Sequence, residues 1–307
     1  MTMPTGIPVI ETFLGFPSRN RKDVYKFLAP HLRDEESKGF KFPAQYMFKD
    51  VPDDLDDNVD PVAVVLDNLD RFGIERGMIS VGGANEDGRR AMAEHPDRFI
   101  PSLAVDPNGG MDTIREMVAA HDEFGIKAVT TFPAGSQVAI NDKRYFPIYS
   151  KCCELDIPIF SCAGIPGPRV PFEPQKVEHI DEVCYLFPEL TFVTRHGCEP
   201  WTDLAVKLML KWPNLYYSTS AFAPRHYPKT IIDYANTRGA DKVIYAGYFP
   251  AGLTYDRIWG DMPDVGFKDD VWPKFLRENA LKVLKLDAGA ASTATSSAPC
   301  RTSSTAG

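Results

Sequence analysis

One unit recurs along this chain: an amphipathic helix, a short break and an apolar strand. In the clearest copy, Asp60 and Pro61 can start a helix, Gly73 can end it, and the strand-like stretch IERGMISVG follows. Three other copies, EHPDRFIPSLAV, LFPELTFVTRHG and KWPNLYYSTSAF, place a proline shortly before the strand, where it ends the preceding helix. This alternation predicts βαβ units and a parallel sheet.

The pattern predicts eight strands, most of them separated by a helix. They are residues 9–12, 77–81, 100–105, 127–132, 157–162, 191–196, 215–220 and 242–247. Most are near-continuous apolar runs, as expected of parallel strands buried on both faces. Eight β/α repeats over about 250 residues predict an α/β fold of the (β/α)8 TIM-barrel type. The alternative is a doubly wound open sheet, but no glycine-rich phosphate loop follows the first strand.

The chain reads as one barrel domain, residues 1–287, with two additions. Residues 13–59 are too long for an ordinary connection between a strand and a helix, so we expect them to fold over the barrel mouth as a lid. Residues 288–307 are small and polar and cannot bury enough surface to offset their ordering entropy, which predicts a disordered tail.

Composition and the N-terminus exclude several classes of function. The formal net charge of −8 argues against nucleic acid or an anionic membrane as a partner. No apolar run approaches the roughly 18–20 residues of a membrane helix, and no signal-like core is present, which predicts a cytoplasmic protein with a small-molecule substrate. The six cysteines show no C-x-x-C spacing, which favours reduced thiols over a disulfide frame or a zinc finger.

Catalytic groups of such barrels lie at the C-terminal ends of the strands. The stretch FVTRHGCEPW brings His196 to that rim beside Glu199 and Trp201, and its imidazole can accept or deliver a proton near neutral pH. The first strand ends in Glu11, which could act as a base, a metal ligand or a partner that orients His196. The alternative for Glu11 is a salt bridge to a nearby arginine.

Four further residues at strand ends or in the loops after them are candidates. Arg169, in the proline-rich loop GIPGPRVP, could clamp a carboxylate or phosphate, or could pair with an acid of the lid. Arg225, in FAPRHYP, has the same interpretation. Cys162 could be a nucleophile if His196 lowers its pKa, or an inert small side chain. Tyr248 could donate a proton, orient a substrate or only fill space.

In order and spacing, several stretches resemble the amidohydrolase-related family of TIM barrels, which includes metal-dependent decarboxylases, hydratases and hydrolases. The likeness covers residues 9–287 and is carried by NDKRYFPIYSKCCELDIPIFSCAG, FPELTFVTRHG, YAGYFP and FLRENALKVLKLD. The resemblance implies a divalent metal at the barrel mouth. It also implies that His196, before a glycine on the sixth strand, serves as a base or an additional ligand.

The resemblance breaks at the metal site. Four positions that carry metal ligands in the family carry other residues here: Phe13, Gly15, Cys162 and Tyr248. Glu11, Cys162 and His196 could still form an unusual set for zinc, manganese or iron. The alternative is a degenerate site that has lost its metal and kept the scaffold.

The resemblance therefore predicts a hydrolase or lyase that hydrolyses, hydrates or decarboxylates a small organic or aromatic carboxylate. Its catalytic residues would be His196, Glu11 and Tyr248. Substrate would be bound by Arg169, Cys162, Glu199, Trp201 and Arg225. The alternative is a non-catalytic barrel in a hetero-oligomer with a metal-bearing relative. Barrels of this sort often self-associate, so we expect a homo-oligomer or such a hetero-oligomer.

Overall fold

The computed structural model describes residues 3–48, 51–83 and 85–287 and confirms the predicted (β/α)8 barrel. Each strand pairs in parallel with the next one in the chain, from first to eighth. The strands are β1 Val9–Glu11, β2 Ile74–Ser80, β3 Phe99–Ala104, β4 Ala128–Thr131, β5 Ile159–Cys162, β6 Phe192–Arg195, β7 Leu215–Ser218 and β8 Val243–Ile244.

Helices separate successive strands, as the repeat predicts. The α-helices of the described residues are α1 Arg21–Val24, α2 Glu35–Gly39, α3 Pro61–Arg71, α4 Glu86–Glu94, α5 Met111–Phe124, α6 Pro133–Ser136, α7 Phe146–Glu154, α8 His179–Leu186, α9 Thr202–Lys211, α10 Lys229–Ala235, α11 Tyr255–Asp261 and α12 Asn279–Leu284. Helix α3 begins as predicted, because the Asp60 carboxylate accepts from the backbone N–H of Val62 at 3.0 Å.

The apolar core has an inner and an outer layer. Each strand contributes one side chain to the inner layer: Ile10, Met78, Ile100, Ala128, Phe160, Val193, Tyr216 and Ile244. Apolar side chains of α12 pack against this layer, and the Asn279 amide donates to the carbonyl of Val243, at the start of β8, at 2.8 Å. Helix α12 therefore closes the end of the barrel opposite the C-terminal ends of the strands.

The barrel closes between β1 and β8 through isolated contacts, because β8 is only two residues long. Leu14 forms a parallel bridge with Phe249, and the N–H of Gly15 donates to the Phe249 carbonyl at 3.1 Å. The hydroxyl of Thr12 donates to the carbonyl of Tyr245 at 2.8 Å. Single bridges and side chains thus replace a continuous ladder at this seam.

The long excursion after β1 packs over the barrel mouth, which confirms the predicted lid insertion. The Tyr46 hydroxyl donates to the carbonyl of Gly167, in the loop after β5, at 2.7 Å. The ring of Phe48 stacks on Tyr248, after β8, with centroids 5.7 Å apart. The lid thus contacts loops that follow two different strands.

Some predictions remain untested. The tail of residues 288–307 lies outside the described residues, and the domain boundary at residue 287 stays a prediction. Within the described part of the chain, no helix combines the length and hydropathy that crossing a membrane requires. The cytoplasmic location and the absence of a nucleic-acid partner stay predictions.

Candidate functional site

Strand β6 ends in a tight turn that brings two candidate side chains to the rim. Arg195 is the last strand residue, and the next three residues, His196, Gly197 and Cys198, all have positive φ angles, with +63° at His196. A non-glycine residue in this region costs roughly 1 kcal/mol or more, and such strain concentrates at functional sites. At Gly197 a Cβ atom would lie 2.3 Å from the ring of Phe222, so only glycine fits there.

The imidazole of His196 is half-buried and held by Ser220. Its Nδ1 lies 3.0 Å from the Ser220 hydroxyl, and the backbone N–H of His196 donates to the same oxygen at 3.1 Å. The ring packs edge-on against Phe13 and Tyr248, with centroids 5.3 and 5.4 Å away. Because a hydroxyl can donate or accept, Ser220 fixes the ring in either tautomer. Burial and the neighbouring Arg195 charge lower the pKa of His196 to about 3, so the imidazole is neutral at pH 7.

Glu11 is fully buried at the seam between β1 and β8. Its carboxylate accepts from the N–H of Phe13 at 2.8 Å, from the N–H of Gly247 at 2.8 and 3.0 Å, and from the Tyr255 hydroxyl at 3.2 Å. Burial raises the pKa of Glu11 to about 7, although these hydrogen bonds oppose the rise. Among the described residues, Glu11 forms no hydrogen bond with His196 and no ion pair with an arginine. Its part in catalysis stays a prediction.

The guanidinium of Arg195 lies within the barrel and is only 9% exposed. Its central carbon is 4.5 Å from the ring centroid of Phe13 and 5.7 Å from that of Phe160. Nη2 donates to the Thr12 carbonyl at 3.3 Å, whereas the buried Nε has no partner among the described residues. Burial lowers the pKa of Arg195 to about 10, so it is charged at pH 7.

Cys162 and Tyr248 are the other predicted residues of this centre. Cys162, at the end of β5, is in register with Arg195, and burial raises the pKa of its thiol to about 12. The thiol is protonated at neutral pH, which favours an inert side chain over a nucleophile. Tyr248 packs against Phe42 and Phe48 of the lid, and burial raises the pKa of its phenol well above the ordinary value. The phenol therefore keeps its proton.

Arg169 is held by the lid. Its Nη1 lies 2.9 Å from the Asp34 carboxylate and 2.7 Å from the Glu36 carboxylate, and the guanidinium also packs on Phe40 and Tyr46. The guanidinium thus already contacts two carboxylates of this chain. These contacts are those of an arginine paired with lid acids, and its predicted role as a substrate clamp has no support from them.

Replacing Arg169 with glutamine is expected to speed limited trypsin cleavage in the lid several-fold, after Arg33 or Lys41. The reason is that the change removes both ion pairs and the stacking that tie the lid to the loop after β5. Peptide mapping over time measures the rate. Arg115→Gln, which alters an exposed arginine of α5, is the matched control. Equal cleavage of the two variants would show that Arg169 does not fasten the lid.

Three other predicted substrate-binding residues contact solvent or peripheral groups. Glu199 is exposed. Trp201 is half-buried and packs against Phe172, with ring centroids 5.7 Å apart. Arg225 is half-exposed, and its Nε lies 3.7 Å from the Asp261 carboxylate. Among the described residues, no hydrogen bond links these three residues to the side chains around His196. Their roles stay predictions.

The three predicted metal ligands do not form a ligand set. Both oxygens of Glu11 accept hydrogen bonds from this chain, and burial raises the pKa of the Cys162 thiol, which disfavours the thiolate that a metal binds. Across residues 3–48, 51–83 and 85–287, no three His, Cys, Asp or Glu side chains are grouped so that they could hold an ion. As they stand, these residues do not fit a divalent metal.

Sequence reasoning gave no role to several residues of this centre: Arg195, Ser220, Phe42 and Phe48. Arg195 and Ser220 both stand at the ends of predicted strands, and that position is a signal that could have found them. The two phenylalanines lie in the lid, where no strand end or helical period indicates which rings turn towards the barrel.

The fold is a TIM barrel, and the candidate residues lie at the strand ends, where TIM-barrel enzymes carry their active sites. The chain belongs to the amidohydrolase family, because the family model described as "Amidohydrolase" matches residues 26–286. The resemblance predicted from the sequence is thereby confirmed. A search of curated proteins found no match.

Solved structures share this fold. An uncharacterized TIM-barrel protein from Bordetella bronchiseptica is 22% identical, with a TM-score of 0.67 over 91% of this chain and 98% of that one. A 5-carboxyvanillate decarboxylase from Novosphingobium aromaticivorans, complexed with manganese, is 17% identical, with a TM-score of 0.64 over 92% and 97%. A probable 2-pyrone-4,6-dicarboxylic acid hydrolase from Acinetobacter baumannii, with citric acid bound, is 14% identical, with a TM-score of 0.63 over 91% and 99%. The structural neighbours thus include decarboxylases and a hydrolase.

Proposed function

We propose that this chain is a lyase or hydrolase that acts on a small aromatic or organic carboxylate, with His196 as its acid–base residue. The observation that carries the proposal is an imidazole at the end of β6, fixed by Ser220 on a strained backbone between two aromatic rings. The family match and the substrates named for two of the structural neighbours support this class of reaction.

Decarboxylation and hydrolysis each need a proton transfer at the reacting centre. Decarboxylation needs a proton delivered to the carbon that loses CO2, and hydrolysis needs a proton taken from water. Ser220 contacts Nδ1 of His196, and Nε2 bonds to no protein atom among the described residues, which leaves Nε2 for substrate. A bound carboxylate would raise the pKa of His196 from its low value towards neutrality, because an opposite charge favours the imidazolium.

The rings around His196 suit a planar substrate. Tyr248 lies among Phe13, Phe42 and Phe48, with centroids between 5.1 and 6.1 Å away. Aromatic rings at such separations attract one another in offset or edge-on arrangements, and a substrate ring can make the same contacts. This set of aromatic side chains favours an aromatic carboxylate as the substrate over an aliphatic one.

No step of the proposed reaction is assigned to a metal, because the donor set does not fit one. We expect protein grown in metal-replete medium to contain well under one equivalent of zinc, manganese or iron by elemental mass spectrometry. Treatment with EDTA should leave turnover unchanged. About one equivalent of metal, lost together with activity on chelation, would contradict this expectation and make Glu11, Cys162 and His196 the residues to mutate.

Turnover of a panel of carboxylates tests the proposal. The panel contains the acids named for the structural neighbours, 5-carboxyvanillate, 2,6-dihydroxybenzoate and 2-pyrone-4,6-dicarboxylate, with the amide of each as a neutral control. Ultraviolet absorbance and CO2 release are followed. We expect turnover of at least one acid and of none of the amides. A folded protein that converts none of them would argue against the proposal.

The second candidate is a non-catalytic barrel in a hetero-oligomer with a metal-bearing relative. The incomplete ligand set favours it. Co-purification of a second barrel chain from native extract, together with an inactive isolated protein, would support this candidate. A chain that converts substrate on its own and forms a homo-oligomer in sedimentation measurements would support the proposed enzymatic function.

A further inference from the structure

We infer that the guanidinium of Arg195 binds the substrate carboxylate inside the barrel mouth and thereby sets a preference for anionic over neutral substrates. The inference rests on the proposed function, since it names the group that binds the same substrate. It differs from the sequence prediction, which placed the carboxylate on Arg169.

The first argument is the burial of Arg195. The side chain is more than nine-tenths buried. Among the described residues its Nε has no acceptor, and its one hydrogen bond is a long one to the Thr12 carbonyl. Arg21, whose buried Nε is likewise unpaired among the described residues, differs at its two terminal nitrogens, which donate to the carbonyls of Pro250 and Ala251. A buried guanidinium normally has its donors occupied and its charge paired, so Arg195 has donor capacity that an acceptor could use.

The second argument is the charge around Arg195. The acidic groups that act on it are Cys162, Tyr248 and Glu11. The thiol and the phenol keep their protons at neutral pH, and Glu11 directs its oxygens to donors at the seam. None of the three forms an ion pair with Arg195 among the described residues. The guanidinium therefore has no ion-pair partner among the described residues, and an anion that enters the mouth would supply one.

The third argument is the position of Phe13. Its ring lies 4.5 Å from the Arg195 guanidinium carbon, and its centroid is 5.3 Å from that of His196 and 5.1 Å from that of Tyr248. A single side chain thus separates the cation from the acid–base residue. A carboxylate on Arg195 would place the attached ring among these aromatic side chains, within reach of His196. The ligand class is a small planar carboxylate.

Benzoate and its neutral isostere benzamide test the inference by calorimetric titration of the whole chain. We expect wild-type protein to bind benzoate at least tenfold more tightly than benzamide. In Arg195→Gln, benzoate affinity should fall at least about tenfold, the amount expected for a lost charge-assisted hydrogen bond. The matched control Arg115→Gln should bind benzoate as the wild type does. Equal affinity of wild type and Arg195→Gln for benzoate, or equal affinity of wild type for the two ligands, would overturn the inference.

Two further variants keep the test decisive. Arg195→Lys retains the charge without the two-nitrogen fork and serves if Arg195→Gln does not fold; weaker benzoate binding than wild type supports the inference, and unchanged binding overturns it. His121→Gln, on α5, should bind benzoate like wild type. Benzoate binding that depends on Arg195, without turnover of any carboxylate, would contradict the proposed enzymatic function but support the binding site at Arg195. Turnover that needs His196, together with benzoate binding that does not depend on Arg195, would support the enzymatic function and overturn the inference about Arg195.

Discussion

Replacing Glu11 with alanine is expected to lower the free energy of unfolding at pH 7 by about 3 kcal/mol or more. The change would leave three buried donors without an acceptor: the backbone N–H groups of Phe13 and Gly247 and the hydroxyl of Tyr255. It would also remove the side chain that joins the first strand to the last. Urea denaturation measures the loss. The control is Glu116→Ala, which removes an exposed acid of α5 and should change the value little.

The same carboxyl group should make stability depend on pH. Its pKa is raised from 4.5 to about 7 by burial, so the folded state holds a proton that the unfolded state releases. The part of the stability that depends on protonation of Glu11 is therefore fully present below pH 4.5 and is lost as pH rises through 7, by about 3 kcal/mol in total. Glu11→Gln cannot titrate. Urea denaturation of both proteins from pH 5 to pH 8 should show a flatter profile in this variant, and parallel profiles would contradict the prediction.

The second large effect is expected at His196. In His196→Gln, kcat should fall by about 10²–10⁴-fold on any carboxylate that the wild type converts, because the amide can accept a hydrogen bond but cannot carry the proton. The free energy of unfolding should change little, since the side chain is only half-buried. Steady-state kinetics and urea denaturation of the same preparation separate the two effects.

Two comparisons make the His196 result specific. Ser220→Ala should reduce kcat much less than His196→Gln, because the hydroxyl orients the ring without exchanging the reacting proton. His121→Gln, on α5, should leave kcat unchanged. A His196→Gln protein with wild-type kcat would remove the histidine from the mechanism and leave Glu11 and Tyr248 as the predicted catalytic residues.

The fold could be predicted because its signals are local. Prolines and glycines between helix and strand mark the repeat, and each predicted strand overlaps an observed one. The largest differences are at β8, which ends at Ile244 instead of residue 247, and at β2, which begins at Ile74 instead of residue 77. The first residues of β2 include the charged Glu75 and Arg76. Glu75 is compatible with a strand there because Arg277 donates to it at 2.7 Å, at the end of the barrel closed by α12. A sequence does not show such a partner.

The candidate site could be predicted only in part. The rule that strand ends carry the chemistry placed His196 at the mouth, because that rule depends on fold class alone. The surroundings of Glu11 could not be predicted, since two of its donors come from Gly247 and Tyr255, more than 230 residues away in the chain. Residue type alone could not distinguish the surroundings of Arg195 from those of Arg169. What distinguishes the two guanidinium groups is burial and the presence or absence of acidic neighbours.

The seam between β1 and β8 has a consequence for how the protein is made. Seven strand pairings join neighbours along the chain, so they can form in order as the polypeptide leaves the ribosome. The eighth contact joins residues 236 positions apart, and α12 comes later still. Until β8 and α12 are synthesised, β1 presents an unpaired edge and the end of the barrel that α12 closes stays open. The nascent chain therefore carries an open sheet, prone to wrong pairing with other chains, until its last segment emerges.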